Sequence, residues 1–212
     1  MFAATLGPPA APASAATAAR ERHGVATETR LRRAWADPRR RRIDLTADVF
    51  LHDCETGDPI RESLYPLLLE GHGHAIRQTC FEKRVLRQDG TGYLELRGLT
   101  LSRGGSDGPG AAVTTRGELT VRDSEVSENL SEEPGGGLFS MRRITVHRSR
   151  ISGNLANDDG GGVYARRGGV QVYDSVLSNN LVGRGTTSSC PTPPSPTTTP
   201  GARAAGRSPP ET

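Results

Sequence analysis

Aromatic residues make up only 4% of this 212-residue chain, with a single tryptophan, and apolar residues as a whole only 33%. So small a supply excludes one conventional core over the full length, and the foldable part must be smaller than the chain. No run approaches eighteen consecutive apolar residues, so no helical transmembrane segment is expected. No Cys/His set has zinc-site spacing, and His72 and His74 lack a third ligand in their column. GxSxG, P-loop and dinucleotide fingerprints are missing as well. The net charge is +3, but much of the excess falls in "RRAWADPRRRR", Arg32 to Arg42. With so few aromatic or groove-reading residues, that run reads as a solvated basic segment, and no nucleic-acid partner is expected.

The ends are poor in structure-forming residues. "MFAATLGPPAAPASAATAARERHG" has its first basic residue at Arg20 and prolines at Pro8 and Pro9, which does not make a convincing signal peptide. Residues 1–26 are therefore expected to be a disordered Ala/Pro-rich leader or a mis-assigned start. Residues 183–212, rich in Pro, Thr, Ser and Gly, lack periodicity and are expected to be a disordered tail, with Cys190 unpaired in it.

What the chain does have is a repeat. In "GGGLFSMRRITVHRSRISGNLANDDGGGVYARRGGVQVYDSVLSNNL", residues 135–181, the same pattern occurs twice, and "ELTVRDSEVSENL" precedes it. Leu119, Ile144 and Val170 correspond, as do Val121, Val146 and Val172, then Ser124, Ser149 and Ser175, then Val126, Ile151 and Leu177, and Asn129, Asn154 and Asn180. The spacing is 25 residues and then 26, with Gly168 or Gly169 as the extra one. An earlier copy carries Leu94, Leu96 and Leu101. Apolar residues alternate over three to five positions before Gly, Asn, Asp or Ser intervenes, which is strand periodicity with turn punctuation. Short strands at constant spacing, each too small for its own core, are satisfied by stacking coil on coil. The expected fold is an all-β parallel β-helix over residues 43–182, with about six coils of three short strands each.

Stacking gives the other residues roles. Asn129, Asn154 and Asn180 are expected to form an internal amide ladder, and Gly135 to Gly137 and Gly160 to Gly162 to turn corners. "TETRLRRAWADP", residues 27–38, fits a capping helix with Thr27 as N-cap and Trp35 lying on the first coil. Cys54 and Cys80 are one coil apart, so a disulfide is geometrically open to them and would imply an oxidising compartment; two reduced thiols are the alternative. The repeat stops at Leu181 without a closing element. That pattern suggests a truncated or frame-shifted β-helix, whose open last coil would self-associate.

"GGGL" and "GGGV" followed by "VSEN", "ISGN" and "LSNN" resemble the paired GGA-aliphatic and Phe-x-x-Asn signatures of the polymorphic outer-membrane protein repeats, with Val126, Ile151 and Leu177 in place of Phe. "LLLEGHGHAI", Leu67 to Ile76, resembles the opening turn of right-handed β-helix repeat proteins with the pectate-lyase-like fold. The resemblance covers roughly Ile43 to Leu181. It implies a right-handed coil and an extracellular or cell-envelope location, with the cytoplasm as the alternative. It does not choose among adhesins, passenger domains, polysaccharide lyases and glycosidases.

Two functions follow as expectations. The first is a non-enzymatic exported or surface β-helix module that binds polysaccharide or another macromolecule and needs no cofactor. The second is a polysaccharide lyase or glycoside hydrolase working from stacked acidic loops. Asp107, Glu132 and Asn157 share one column, and Glu133 and Asp158 the next with Asp159 adjacent. Such like charges call for a cation, so Ca²⁺ at Glu133 and Asp158 is the candidate metal and a solvated loop edge the plain alternative. Arg142 and Arg167 stack one side chain further round, with Arg116 and Arg166 in the neighbouring column, and serve either as carbohydrate or carboxylate clamps or as a solubilising ridge.

Overall fold

The structure is a computed structural model, and it describes residues 24–183. Every strand pairing is parallel, and the strands stack into six coils of a β-solenoid. Sheet A contains Arg42–Asp44, Leu67–Glu70, Leu94–Arg97, Leu119–Arg122, Ile144–His147 and Val170–Tyr173. Sheet B follows with Val49–Leu51, Ala75–Gln78, Thr100–Ser102, Glu125–Ser127, Arg150–Ser152 and Val176–Ser178. Sheet C is short: Gly105–Ser106, Leu130–Ser131, Leu155–Ala156 and Leu181–Val182. Sheet D closes the coil with Ile60–Arg61, Leu86–Gln88, Val113–Thr115, Leu138–Ser140 and Val163–Ala165. Three strands per coil were expected, and sheet C is a fourth. Three of its two-residue strands follow Asn129, Asn154 and Asn180 directly, and all four are too short to show alternation in sequence.

The register is the one the repeat implies. Leu94, Leu119, Ile144 and Val170 pair in line, as do Leu101, Val126, Ile151 and Leu177. Their side chains, with Leu138 and Val113, fill a narrow continuous core. The register is 25 residues at Ser140–Ala165 and changes to 26 at Ile144–Val170. The extra residue lies between those pairs, where Gly168 and Gly169 both have positive φ, at 84° and 74°. A side chain is disfavoured in that conformation, so the insertion is absorbed where glycine costs least.

Two polar ladders run along the stack. Asn154 is wholly buried; its Nδ2 donates to the Val126 and Ser152 carbonyls and to Asn180 Oδ1, at 3.0, 3.2 and 2.9 Å. Its Oδ1 accepts from the Asn129 backbone N–H and from Asn129 Nδ2, at 3.1 and 2.8 Å. The expected amide ladder is therefore present and saturated. The second ladder had no role assigned from sequence. Ser149 Oγ accepts from the Ser124 backbone N–H at 3.1 Å, and Ser175 Oγ accepts from that of Ser149 at 3.0 Å. Each serine follows a residue held at positive φ, Asp123, Arg148 or Asp174.

The first coils are held by single devices. Helix α1, Glu28–Ala36, is capped by Thr27 and buries Leu31, Ala34 and Trp35, as expected. Val25 lies in the stretch expected to be leader, yet it is buried and bridges Leu45. The other leader residues, 1–23, and the tail beyond Gly183, Cys190 included, lie outside the described residues. Arg61 is completely buried and donates to the carbonyls of Trp35, Asp37, Pro38 and Arg40, closing the end of α1 onto coil one. Cys54 and Cys80 form a disulfide with Cα atoms 5.3 Å apart.

Candidate functional site: an arginine-lined groove

Each coil passes from sheet D to sheet A through a tight turn. Thr115 and Ser140 end their sheet D strands with inward hydroxyls that accept from backbone N–H groups two residues on, Gly117 at 3.0 Å and Arg142 at 2.9 Å. Ser140 Oγ also donates to the Gly117 carbonyl at 2.7 Å, which ties one turn to the next. With the backbone polar groups satisfied inward, the turn's own side chains are left to project outward.

These turns enclose a groove of about 500 Å³. Its lining comes from the same corner on four successive coils: Thr91, then Arg116 and Glu118, then Met141, Arg142 and Arg143, then Arg167 and Gly168. Ser140 pairs with Ala165, so Arg142 and Arg167 occupy one row, and Thr115 pairs with Ser140, which puts Arg116 one row aside. The structure thus brings three arginines singled out from sequence into one concavity. Arg166 does not line it. Arg143 and Glu118 do line it, and were missed because they sit one residue before a strand and carry no repeated identity.

All four lining arginines are exposed, and none forms an ion pair among the described residues. The outer face of sheet A is different. There Arg42 meets Asp44 at 2.7 Å, Arg97 meets Glu95 at 2.5 Å, and Arg122 meets Glu95 at 3.5 Å. Arg42 and His72 hold the Asp44 carboxyl below the usual carboxylate range. At the corner between sheets A and B, a second groove of about 590 Å³ contains Asp123, Arg148 and Asp174. Arg148 grips Asp123 at 2.7 Å and holds its carboxyl below the usual range. That groove is lined by Asp123, Glu125 and Asp174 together with Arg148 and Arg150, so both signs are present in near-equal number, whereas the sheet D to A groove sets four arginines against Glu118 alone.

The acidic columns lie between sheets C and D. Glu132 and Asn157 follow their register, with backbone N–H groups bonded to the Ser106 and Ser131 carbonyls. Asp107, Glu132, Glu133, Asp158 and Asp159 are all exposed. No group of three or more His, Cys, Asp or Glu positioned to hold a metal ion occurs among the described residues, Glu133 and Asp158 included. The glycines of these loops fold back over Phe139 and Tyr164, whose rings stack at 5.9 Å. Gly135 and Gly160 have φ of 81° and 66°, as expected for a corner. His72 and His74 turn to separate carboxylates, Asp44 at 2.8 Å and Asp48 at 3.4 Å. Among the described residues no helix is long and apolar enough to cross a membrane. Neither a family model, nor a curated protein, nor a solved structure matches the chain.

Proposed function

We propose that this chain is a non-enzymatic, exported or surface-associated β-helix module that binds anionic polysaccharide through the groove between sheets D and A. The observation that carries the reading is the set of Arg116, Arg142, Arg143 and Arg167 around one concavity with no ion-pair partner among the described residues. Cations held on neighbouring coils, ~4.8 Å apart, repel one another unless an anion sits among them. Planar guanidiniums suit carboxylate or sulfate, which they grip with paired N–H donors. Glu118 and Thr91 add an acceptor and a hydroxyl suited to sugar hydroxyls, and no aromatic ring lines the groove to stack a nucleobase. The Cys54–Cys80 bridge supports an oxidising compartment. A right-handed coil of the outer-membrane repeat or pectate-lyase-like kind is part of the same proposal. So is edge-to-edge pairing of two copies at the last described coil, where Val170, Leu177, Leu181 and Val182 are only half-buried.

Calorimetric titration with polygalacturonate, neutral dextran and duplex DNA tests the reading. Binding of polygalacturonate at low salt, no binding of dextran, and at least about tenfold weaker binding by the Arg142→Glu/Arg167→Glu variant are expected, since each charge-assisted contact is worth ~1.5–3 kcal/mol. Unchanged affinity in the variant would overturn it, as would tighter binding of DNA. Release of unsaturated uronides would replace it with a lyase. For the edge pairing, sedimentation is expected to show association rising with concentration; a monomer throughout contradicts that part.

A further inference from the structure

Among the described residues, two buried side-chain polar atoms have no hydrogen-bond partner, Arg61 Nε and Gln88 Oε1. They belong to neighbours. Arg61 and Gln88 pair in register on the first two strands of sheet D, and both side chains are buried. Arg61 commits its two terminal nitrogens to the carbonyls of Trp35, Asp37, Pro38 and Arg40, at the electronegative end of helix α1. Gln88 directs its amide nitrogen to the Gly90 and Gly92 carbonyls. That fixes the orientation of the amide, because a flipped group would set oxygen against oxygen. One N–H donor and one oxygen acceptor are therefore left side by side on adjacent coils, each costly to bury unpaired.

We infer that a single water molecule is held between these two atoms, accepting from the Arg61 Nε–H and donating to Gln88 Oε1. The opposite needs of the pair select the occupant. A chloride ion would satisfy the guanidinium and be repelled by the amide oxygen; an ammonium ion would satisfy the oxygen and be repelled by the guanidinium. Water both accepts and donates, and two polar partners suffice to hold it. A direct bond from Nε to Oε1 is opposed by the six bonds to carbonyls that hold the two head groups in place. The water completes the latch between helix α1 and the stack: it satisfies the last donor of the buried cation through a residue of the second coil. It leaves only when the first two coils part, so its residence time reports the opening of the capped end.

The test follows the Arg61 Nε–Hε resonance in the full chain labelled with nitrogen-15. A cross-peak at the water frequency, with the sign of a long-lived contact, is expected, together with Hε exchange slower than in exposed arginines. A cross-peak to the Gln88 side chain with none to water marks a direct bond and overturns the inference, as does exchange as fast as in exposed arginines. Titration with chloride should leave the resonance unmoved; a saturable shift makes the occupant an anion and overturns it too. Arg61→Lys keeps the cation and places a methylene where Nε stands. Water magnetic relaxation dispersion is then expected to count one long-lived water fewer than in the wild type, and an equal count in the folded variant overturns the assignment. If the variant does not fold, the wild-type cross-peaks decide alone.

Discussion

At the corner after sheet D, short hydroxyl-pinned turns gather Arg116, Arg142, Arg143 and Arg167 around a groove of about 500 Å³. At the corner before sheet D, longer glycine loops carry Glu132, Glu133, Asp158 and Asp159 out into solvent. Both corners repeat once per coil and both stack like charges on adjacent turns. A row of like charge is therefore no site in itself. What separates the two is the length of the turn and the concavity beneath it: a tight turn fixes where each side chain leaves the backbone, and a long loop does not.

The comparison breaks most severely if the stack that aligns both corners is damaged. Asn154→Ala removes five side-chain hydrogen bonds at a wholly buried position and leaves the Asn129 backbone N–H without its acceptor. A stability loss of about 4 kcal/mol is expected in urea unfolding; a loss under ~1 kcal/mol would show that the ladder is dispensable. The disulfide comes next and joins the first two coils outside the lining of the arginine groove. Closing a 26-residue segment, it should contribute about 3 kcal/mol. Cys54→Ser/Cys80→Ser is expected to lower the unfolding midpoint while leaving polyuronate affinity of the folded chain unchanged, and altered affinity would mean that the cap and the groove are coupled.

A smaller effect sharpens the contrast. Ser140→Ala deletes the hydroxyl that bonds Arg142 N–H and the Gly117 carbonyl, so a loss of about 1.5 kcal/mol is expected together with weaker uronate binding. Intact binding despite the destabilisation would show that the pinned turn does not position the arginines. Smallest is a pH effect. Arg42 depresses the Asp44 carboxyl and Arg148 that of Asp123. Their contribution is complete above the ordinary carboxylate value, near pH 4, and is lost as pH falls through the lower folded values. Thermal scans from pH 5 down to pH 3 should show a small loss of stability, reduced in Arg148→Ala and at high salt. A stability gain on acidification contradicts these assignments.

Much of the fold was legible because stacking converts sequence period into contact. Leu119, Ile144 and Val170, or Asn129, Asn154 and Asn180, need only be counted 25 or 26 apart to become neighbours. Sheet C escaped because a two-residue strand has no period, and Val25 because its pairing to Leu45 lies outside the repeat. In the site, Arg142 and Arg167 were legible as a row, but Arg143 and Glu118 were not. They join the groove through the shape of the turn, which no column of identities records. The acidic loops looked equally promising in sequence, since column counting reports sign and spacing and is blind to whether the turns enclose a groove.

The most direct measurement neutralises each corner in turn and titrates both variants with polygalacturonate at low salt. The account predicts that Arg116→Gln/Arg142→Gln/Arg143→Gln/Arg167→Gln abolishes binding, whereas Glu132→Gln/Glu133→Gln/Asp158→Asn/Asp159→Asn leaves it equal or slightly tighter. Loss of binding in the acidic-corner variant, with the arginine variant still binding, would contradict it.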